Sequence, residues 1–137
     1  MFGELDTATL YAILRLRAQV FVVEQACAYL DVDGRDDEPG TLHCWFAAEG
    51  GGVEAYLRVT VEPHGEHRIG RVVTAPSARG RGLAAHLIRH ALTLVPGPVV
   101  LDAQSHLQGY YAGFGFRPHG SPFLEDGIPH VPMRLAG

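Results

Sequence analysis

The sequence Val72-Val73-Thr74-Ala75-Pro76-Ser77-Ala78-Arg79-Gly80-Arg81-Gly82-Leu83-Ala84 decides the fold of this chain. A β-branched run ends at a proline and apolar residues then recur at helical spacing, so a basic, glycine-rich turn joins a strand to a helix. The first amides of a helix have no intrahelical partner, and the helix dipole adds positive charge there. Gly80 and Gly82 keep side chains away from a phosphate, while Arg79 and Arg81 add positive charge. The stretch therefore predicts an anion site at the helix N-terminus.

Two common phosphate-binding patterns do not fit this turn. No Gly-Lys-Ser or Gly-Lys-Thr follows the glycines, as a P-loop requires. The dinucleotide pattern needs a third glycine where this chain has Ala85, and it follows the first strand of repeated strand–helix–strand units. Here the turn lies past the middle of the chain, after strands that we expect to be joined by hairpins. The sequence therefore favours neither nucleotide-binding fold.

The spacing Arg79-x-x-Gly82-x-Ala84 resembles the loop with which GNAT N-acetyltransferases bind the pyrophosphate of acetyl-coenzyme A. Further blocks resemble the ElaA-type branch of that superfamily, in the expected order and over nearly the whole chain. These blocks are Leu16–Gln25, Asp31–Asp36, Ile69–Val73, His106–Gln108, Tyr111 with Gly115-Phe116, and Glu125–His130. Several ordered blocks are strong evidence for the family and much weaker evidence for the substrate.

The resemblance implies a fold and a set of contacts with the co-substrate. The fold is α+β, with a mostly antiparallel central sheet that is splayed in its middle, is flanked by helices and holds acetyl-coenzyme A in the cleft. The strand residues Val72, Val73 and Thr74 would bind the pantetheine arm through their backbone, and one of their amides can donate to the thioester oxygen. Gln104 stands where many relatives carry an asparagine that touches the same arm. The pyrophosphate would contact the turn, which comprises Arg79, Gly80, Arg81, Gly82, Leu83 and Ala84.

Tyr111 stands four residues before Gly115-Phe116, where the resemblance implies a general acid. A phenol has a pKa of about 10 and a thiol one of about 8.5. The phenol therefore stays protonated at neutral pH and has a proton to give to the leaving thiolate. The alternative is a tyrosine that only packs in the core. We expect its neighbour Tyr110 to pack.

The general base is open among several residues. Many relatives carry a glutamate on the strand before the phosphate loop, at a position that corresponds to about Arg68, which cannot act as a base. Glu24, just after the first predicted helix, is our first candidate because the resemblance implies that the acceptor site is formed there. Other candidates are Glu62, His67 and His106. Each of these residues could instead be structural or solvated, and an amine that arrives neutral needs no strong base.

The acidic segment Asp31–Glu38 does not match a calcium loop, because its glycine stands fourth rather than sixth. Its charge suggests either a solvated loop or an attraction for cationic amines, exerted by Asp31, Asp33, Asp36, Asp37 and Glu38. His86 and His90 are spaced i,i+4 on a helix but lack the glutamate and third ligand of a zinc site. We expect a solvated helix face there and no bound metal.

Composition sets the class of protein. The 137 residues suit one domain, residues 1–137, and the net charge of −4 argues against a general nucleic-acid binder. No signal peptide is apparent, and no apolar run is long enough to span a bilayer. Cys27 and Cys44 are isolated, which favours free thiols in a reducing compartment. We therefore expect a cytoplasmic protein with no membrane or nucleic-acid partner.

Hydrophobic periodicity predicts the order of the elements. Asp6 or Thr7 caps a first helix that runs to about Phe21. Strands over 42–48, 53–61 and 68–74 precede a helix over 82–94. The remaining elements are predicted as a strand at 99–101, a helix over 107–114, a strand beginning at 116 and a last strand over 130–135. Hairpins followed by a strand–helix–strand unit predict a mixed α+β sheet.

The leading functional hypothesis is an N-acetyltransferase that uses acetyl-coenzyme A and an amine of a small molecule or protein. The alternative is a non-catalytic acyl-coenzyme A sensor, which the missing strand glutamate favours. A purely structural or oligomerisation domain would leave the loop Arg79–Ala84 unexplained. The identity of the amine, and the choice between a monomer and a homodimer, are left open.

Overall fold

The chain forms one seven-stranded sheet flanked by helices, and a computed structural model describes residues 1–136 of it. Residue 137, the last of the predicted domain, lies outside the described residues. The strands are β1 (Leu42–Ala47), β2 (Val53–Val61), β3 (His67–Thr74), β4 (Val99–Gln104), β5 (Arg117–Pro118), β6 (Phe123–Glu125) and β7 (Ile128–Leu135). The helices are α1 (Thr7–Arg17), which continues as a π-helix (Ala18–Glu24), then α2 (Leu83–Leu94) and α3 (Gln108–Ala112). The α+β prediction is confirmed.

The sheet divides between β3 and β4. The strand order is β1-β2-β3-β4-β7-β5, β6 pairs with β7, and every neighbouring pair except β3 with β4 is antiparallel. Within residues 1–136, the parallel pair is joined only at His67 with Val99 and at Arg68 with Val100. The rest of β3 and β4 diverge, which is the splayed centre that the resemblance implied.

Two hydrophobic cores support the sheet, one on each face. On one face Leu57 of β2 packs in the cluster that contains Ile88 and Ala91 of α2. On the other face Tyr56 packs with Ile13 and other apolar residues of α1. Successive β2 side chains point to opposite faces, so the strand is buried on both sides. The central strands are therefore fixed from both directions, next to the place where the sheet opens.

The first helix begins as predicted and ends later. Asp6 caps α1 by accepting a 2.7 Å hydrogen bond from the amide of Thr9. The helix was expected to end near Phe21, but a π-helical segment continues it to Glu24. π-Helical turns are uncommon and often occur at functional sites. No helix within residues 1–136 combines the length and apolar character needed to cross a bilayer.

The hairpin of β6 and β7 was missed from the sequence. The last strand was expected to begin at His130, but it begins at Ile128 and pairs with β6. Asp126 and Gly127 form the turn with φ angles of 50° and 77°. Asp-Gly is a strong hairpin signal because both turn positions need a positive φ. This hairpin borders the cavity described next.

Candidate active site

A cavity of about 320 Å³ opens where β3 and β4 separate. Three predicted site residues line it, namely Val72 of β3, Gln104 at the end of β4 and Tyr111 of α3. The β6–β7 hairpin borders the same space with Ile128 and His130. We call this space the wedge cavity. The structure thus brings the predicted general acid together with part of the predicted pantetheine site.

A second pocket, of about 210 Å³, lies at the predicted phosphate loop. We call it the glycine-loop pocket, and it is lined by Thr74, Ala78, Arg79, Gly80, Gly82, Leu83, Ala84, Ala85 and Tyr110. Gly80 and Gly82 have φ angles of +83° and +72°, a region that residues with side chains rarely adopt. Within residues 1–136, no side chain caps α2, and the space beside both glycines is open. The first amides of α2 are therefore available to an anion.

One strand connects the two spaces. Val72 lines the wedge cavity and Thr74 lines the glycine-loop pocket. Likewise, Tyr111 lines the wedge cavity and its neighbour Tyr110 lines the glycine-loop pocket. From position 69 to Thr74, the β4-facing edge of β3 pairs with no strand among residues 1–136. Val73 instead points its side chain into the core beneath α1. An extended ligand can therefore follow the open backbone edge from one pocket to the other.

Tyr111 is a neutral acid in a largely buried setting. Its residue is 7% exposed, and its ring makes edge-on contacts with Tyr110 and Phe116. Burial raises the pKa of Tyr111 to about 12, with a smaller contribution from Tyr110. The phenol therefore keeps its proton throughout the neutral pH range.

Glu24 does not lie with Tyr111. Its carboxylate accepts two hydrogen bonds from Nη2 of Arg79, at 2.8 Å and 3.0 Å, and it is not among the residues that line the wedge cavity. Arg81 similarly donates a 3.2 Å hydrogen bond to Glu54 and lines neither pocket. Both arginines of the predicted phosphate loop are therefore balanced by carboxylates. The candidate base and the phosphate loop meet at one ion pair.

Three carboxylates of the acidic segment, Asp31, Asp33 and Asp36, form an ion-pair network with buried arginines, which corrects for these three the expectation of solvated side chains or of a field for cationic amines. Arg17 is fully buried and donates to Asp31 at 3.0 Å and to Asp36 at 2.6 Å. Arg58, also buried, donates to Asp33 at 2.6 Å and to Asp36 at 3.1 Å. These carboxylates are neutralised where they stand, so they do not act on an amine at long range. Asp37 and Glu38 remain exposed.

The network shifts the pKa values of its carboxyl groups. The hydrogen bond from Arg58 holds the pKa of Asp33 well below its usual range, against the opposing effect of burial. Burial alone would raise the pKa of Asp36, but the guanidinium groups of Arg17 and Arg58 outweigh it and lower that pKa. Both groups are therefore ionised at neutral pH.

Arg71 connects this network to the strand that borders the wedge cavity. Its Nη2 donates to the carbonyl of Asp31 at 3.1 Å and to Asp33 at 3.3 Å, and its guanidinium lies over the ring of Tyr29. Its Nε is 2.8 Å from Asp31 Oδ1, in a charge contact without an aligned hydrogen bond. Arg71 has a φ of +54° at a bulge opposite Leu57. Such bulges re-aim the backbone near active sites, and the acidic segment holds this one in place.

The other candidate bases are less well placed. Glu62 accepts hydrogen bonds from Arg68 at 2.7 Å and from Arg35 at 3.4 Å, and burial opposes the lowering of its pKa that these partners cause. His67 and His106 do not line the wedge cavity. Among residues 1–136, no three histidine, cysteine or carboxylate side chains are placed so that they could hold a metal ion.

Two features could have been read from the sequence. Arg17 stands among apolar helix positions, and an arginine on a buried face requires carboxylate partners such as those of the segment that follows. The Asp126-Gly127 pair is itself a hairpin signal, and His130 is the third residue of the strand that follows it. Cys27 and Cys44 are buried free thiols, as predicted.

Comparison with known families gives a match over most of the chain. Residues 18–136 match the family model described as an acetyltransferase (GNAT) domain. The UPF0039 protein Rv2851c of Mycobacterium tuberculosis is 46% identical over 138 residues, which cover 98% of this chain and 88% of that protein.

Two crystal structures are similar over nearly their whole length. One is an acyl-CoA N-acyltransferase from Pseudomonas aeruginosa, 42% identical with a TM-score of 0.92, covering 98% of this chain and 95% of that one. The other is Escherichia coli ElaA, 36% identical with a TM-score of 0.90, covering 98% and 94%.

Proposed function

This chain belongs to the GNAT acetyltransferase family, in the branch of the ElaA proteins, and from that premise we propose that it transfers an acetyl group from acetyl-coenzyme A directly to an amine. The family and the fold support acyl-CoA-dependent N-acyltransferase activity in general. The finer part of the proposal is that the acyl group is acetyl and that the acceptor is an amine of a small molecule or protein.

The continuous path between the two pockets carries the proposal. The pyrophosphate of the thioester would contact the amides at Gly80 and Gly82, and its charge would be met by Arg79. The pantetheine amides would then pair with the open edge of β3 from Thr74 to Val72, with Gln104 on the opposite side. This path ends beside Tyr111, where the thioester would lie.

The chemistry follows from those positions. An amide of the strand segment Val72–Val73 donates to the thioester oxygen as negative charge develops on it. The amine attacks the thioester carbon, the carbon–sulfur bond breaks, and Tyr111 donates its proton to the departing sulfur. A phenol with a pKa raised to about 12 is protonated at neutral pH. A thiol ordinarily titrates at about 8.5, so the thiolate is the weaker base and the transfer is completed only when the tyrosinate takes up a new proton. Glu24 takes no part in these steps. It affects the binding of the thioester instead, because its carboxylate competes with the pyrophosphate for Arg79.

A non-catalytic sensor of acyl-coenzyme A is the second candidate. The strand position where many relatives carry a glutamate is held here by Arg68, which is bound to Glu62 at 2.7 Å and to Asp102 at 3.0 Å. A sensor needs the glycine-loop pocket but no base, so this substitution favours it.

Calorimetric titration followed by a turnover assay distinguishes these functions. We expect acetyl-coenzyme A to bind, and thiol release to appear with at least one member of a panel of small amines and lysine peptides. Propionyl- and octanoyl-coenzyme A, assayed with the same amine, test the acetyl preference. Tight binding without turnover on any amine would favour the sensor, and no binding would refute both functions.

A further inference from the structure

The ring of His130 is held in one orientation by two contacts. Nδ1 lies 2.7 Å from the carbonyl oxygen of Ile128, and the ring stacks on Phe123 with centroids 5.6 Å apart and an 18° angle between planes. A carbonyl oxygen only accepts hydrogen bonds, so Nδ1 carries the proton. In the neutral ring, the lone pair therefore lies on Nε2.

The other nitrogen of this ring is available at the wedge cavity. Within residues 1–136, Nε2 of His130 has no hydrogen-bond partner and is not buried, and His130 is the one histidine that lines the cavity. His130 and Gln104 are direct partners across β4 and β7, so their side chains share a face of the sheet. Gln104 is the residue expected beside the pantetheine arm. His130 therefore borders the cavity beside the expected pantetheine arm, and Tyr111 lines the same cavity.

The carboxylates around the cavity are less suited to accept a proton. Asp33 is held by Arg58 at 2.6 Å, and Asp102 accepts a 3.0 Å hydrogen bond from Arg68. Glu125 and Asp126 lie at the exposed end of the β6–β7 hairpin. Imidazole is the most common general base in enzymes, because the ordinary pKa of an imidazole is close to neutral pH.

We propose that Nε2 of His130 is the general base that takes the proton from the attacking amine. This role rests on the proposed function, since it requires an amine and a thioester in the wedge cavity. The Ile128 carbonyl fixes the tautomer and stabilises the positive charge that the ring acquires. The base is then supplied by the last strand, in place of the glutamate that is missing from β3.

The proton transfers balance without a further reactant. The neutral amine forms a bond to the thioester carbon, its nitrogen becomes positively charged, and Nε2 of His130 removes one proton from it. The carbon–sulfur bond then breaks, and the sulfur takes the proton of Tyr111. The imidazolium returns its proton to the tyrosinate through water in the cavity. The products are one amide and one free thiol, and both side chains are restored.

Chemical rescue tests this role. We expect His130→Ala to lower kcat with the best amine by about 100-fold or more, the lower end of a general base's contribution, while the calorimetric Kd for acetyl-coenzyme A stays within about twofold. Added imidazole restores turnover in a saturable manner. Pyrazole has the same ring size but is a far weaker base, and it restores none. His90→Gln, on the exposed face of α2, is the control histidine variant.

A second variant separates catalysis from folding. His130→Asn can keep the hydrogen bond to the Ile128 carbonyl but has no atom at the position of Nε2, so we expect a folded and inactive protein. Normal kcat in either variant, or equal rescue by pyrazole, overturns the role of His130 while leaving the proposed function intact. If the wild-type protein releases no thiol with any amine, the proposed function fails, and the role of His130 fails with it.

Discussion

The carboxylate of Glu24 is bound to the guanidinium of Arg79, with both oxygens within 3.0 Å of the same nitrogen, Nη2. The pair joins the end of the π-helical segment to the loop that precedes α2. If the proposed function is correct, a pyrophosphate at the glycine loop would compete with this carboxylate for the same cation. Its affinity for the loop would then depend on the strength of a surface ion pair.

We expect Glu24→Gln to tighten the binding of coenzyme A. An exposed pair of this kind contributes about 0.2–1 kcal/mol, so the Kd should fall by up to about fivefold. Calorimetry at low and high salt measures the change, which should shrink as salt screens the pair. If kcat instead falls by about 100-fold at an unchanged Kd, Glu24 is the base of the reaction.

We expect Gly82→Val to weaken binding of coenzyme A by at least tenfold. The position has a φ of +72°, which a β-branched residue rarely adopts, and its side chain would enter the space for the phosphate. Gly65→Val is the matched control, because Gly65 has a φ of +87° in the remote β2–β3 turn. Both variants should lose similar stability in denaturant, but only Gly82→Val should lose affinity. Equal affinities would contradict the assignment of the loop.

We expect Tyr111→Phe to lower kcat by about 100-fold and to leave the Kd for acetyl-coenzyme A nearly unchanged, because the phenol acts as an acid in the transition state. Tyr11→Phe, on the exposed face of α1, is the control. Because the pKa of Tyr111 is raised to about 12, activity should not decline between pH 8 and 10 through loss of this proton. An unimpaired Tyr111→Phe variant would remove the phenol from the mechanism.

Loss of Arg17 should unfold the protein at a much lower denaturant concentration. Arg17→Met removes the fully buried cation that Asp31 and Asp36 share and leaves Arg71 and Arg58 as their remaining cationic contacts, which costs about 3–5 kcal/mol of the free energy of unfolding. Arg15→Met, on the exposed side of the same helix, should change it by at most about 0.5 kcal/mol. Urea denaturation of the two variants gives the comparison, and similar midpoints would show that the network contributes little.

The same network predicts loss of stability in acid. The pKa values of Asp33 and Asp36 are lower in the folded protein than in the unfolded chain, so the unfolded chain binds more protons as the pH falls below about 4. The stabilisation is complete above that pH and is lost as the pH falls through the folded pKa values. Asp33→Asn should be less stable at pH 7 and should show a flatter decline between pH 5 and 2. Parallel declines for the variant and the wild type would contradict this assignment.

The sequence predicted the elements that have strong local signals. Three of these predictions depend on residues that are close together in the chain. They are the cap at Asp6, the strands β1 to β3, and the glycine turn that follows those strands and precedes α2. The bulge at Arg71 was not predicted, because its partners lie in distant parts of the chain, and the π-helical segment was not predicted either. The acidic segment is evident in the sequence, but its pairing with Arg17, Arg58 and Arg71 could not be predicted. These arginines lie 14 to 40 residues from the carboxylates that they bind.

The candidate site was predicted only in part, for the same reason. Tyr111 and Gln104 were identified by resemblance and do border one cavity. The ion pair of Glu24 with Arg79 joins residues 55 positions apart, and no sequence pattern indicates it. His130 becomes a candidate only when the register of β4 with β7 sets it opposite Gln104.

In the part of the chain that the structure describes, the two halves of the sheet share only two residue pairs, at the beginning of β3 and β4. A thioester whose amides lie along β3 would act as an additional strand and complete a row of backbone hydrogen bonds that the polypeptide leaves unfinished. Ligand binding and folding are then coupled, and saturation at 100 times the Kd would add about 2.7 kcal/mol to the free energy of unfolding. In a cell, resistance to proteolysis would follow the supply of that thioester, and the abundance of the protein would rise with it.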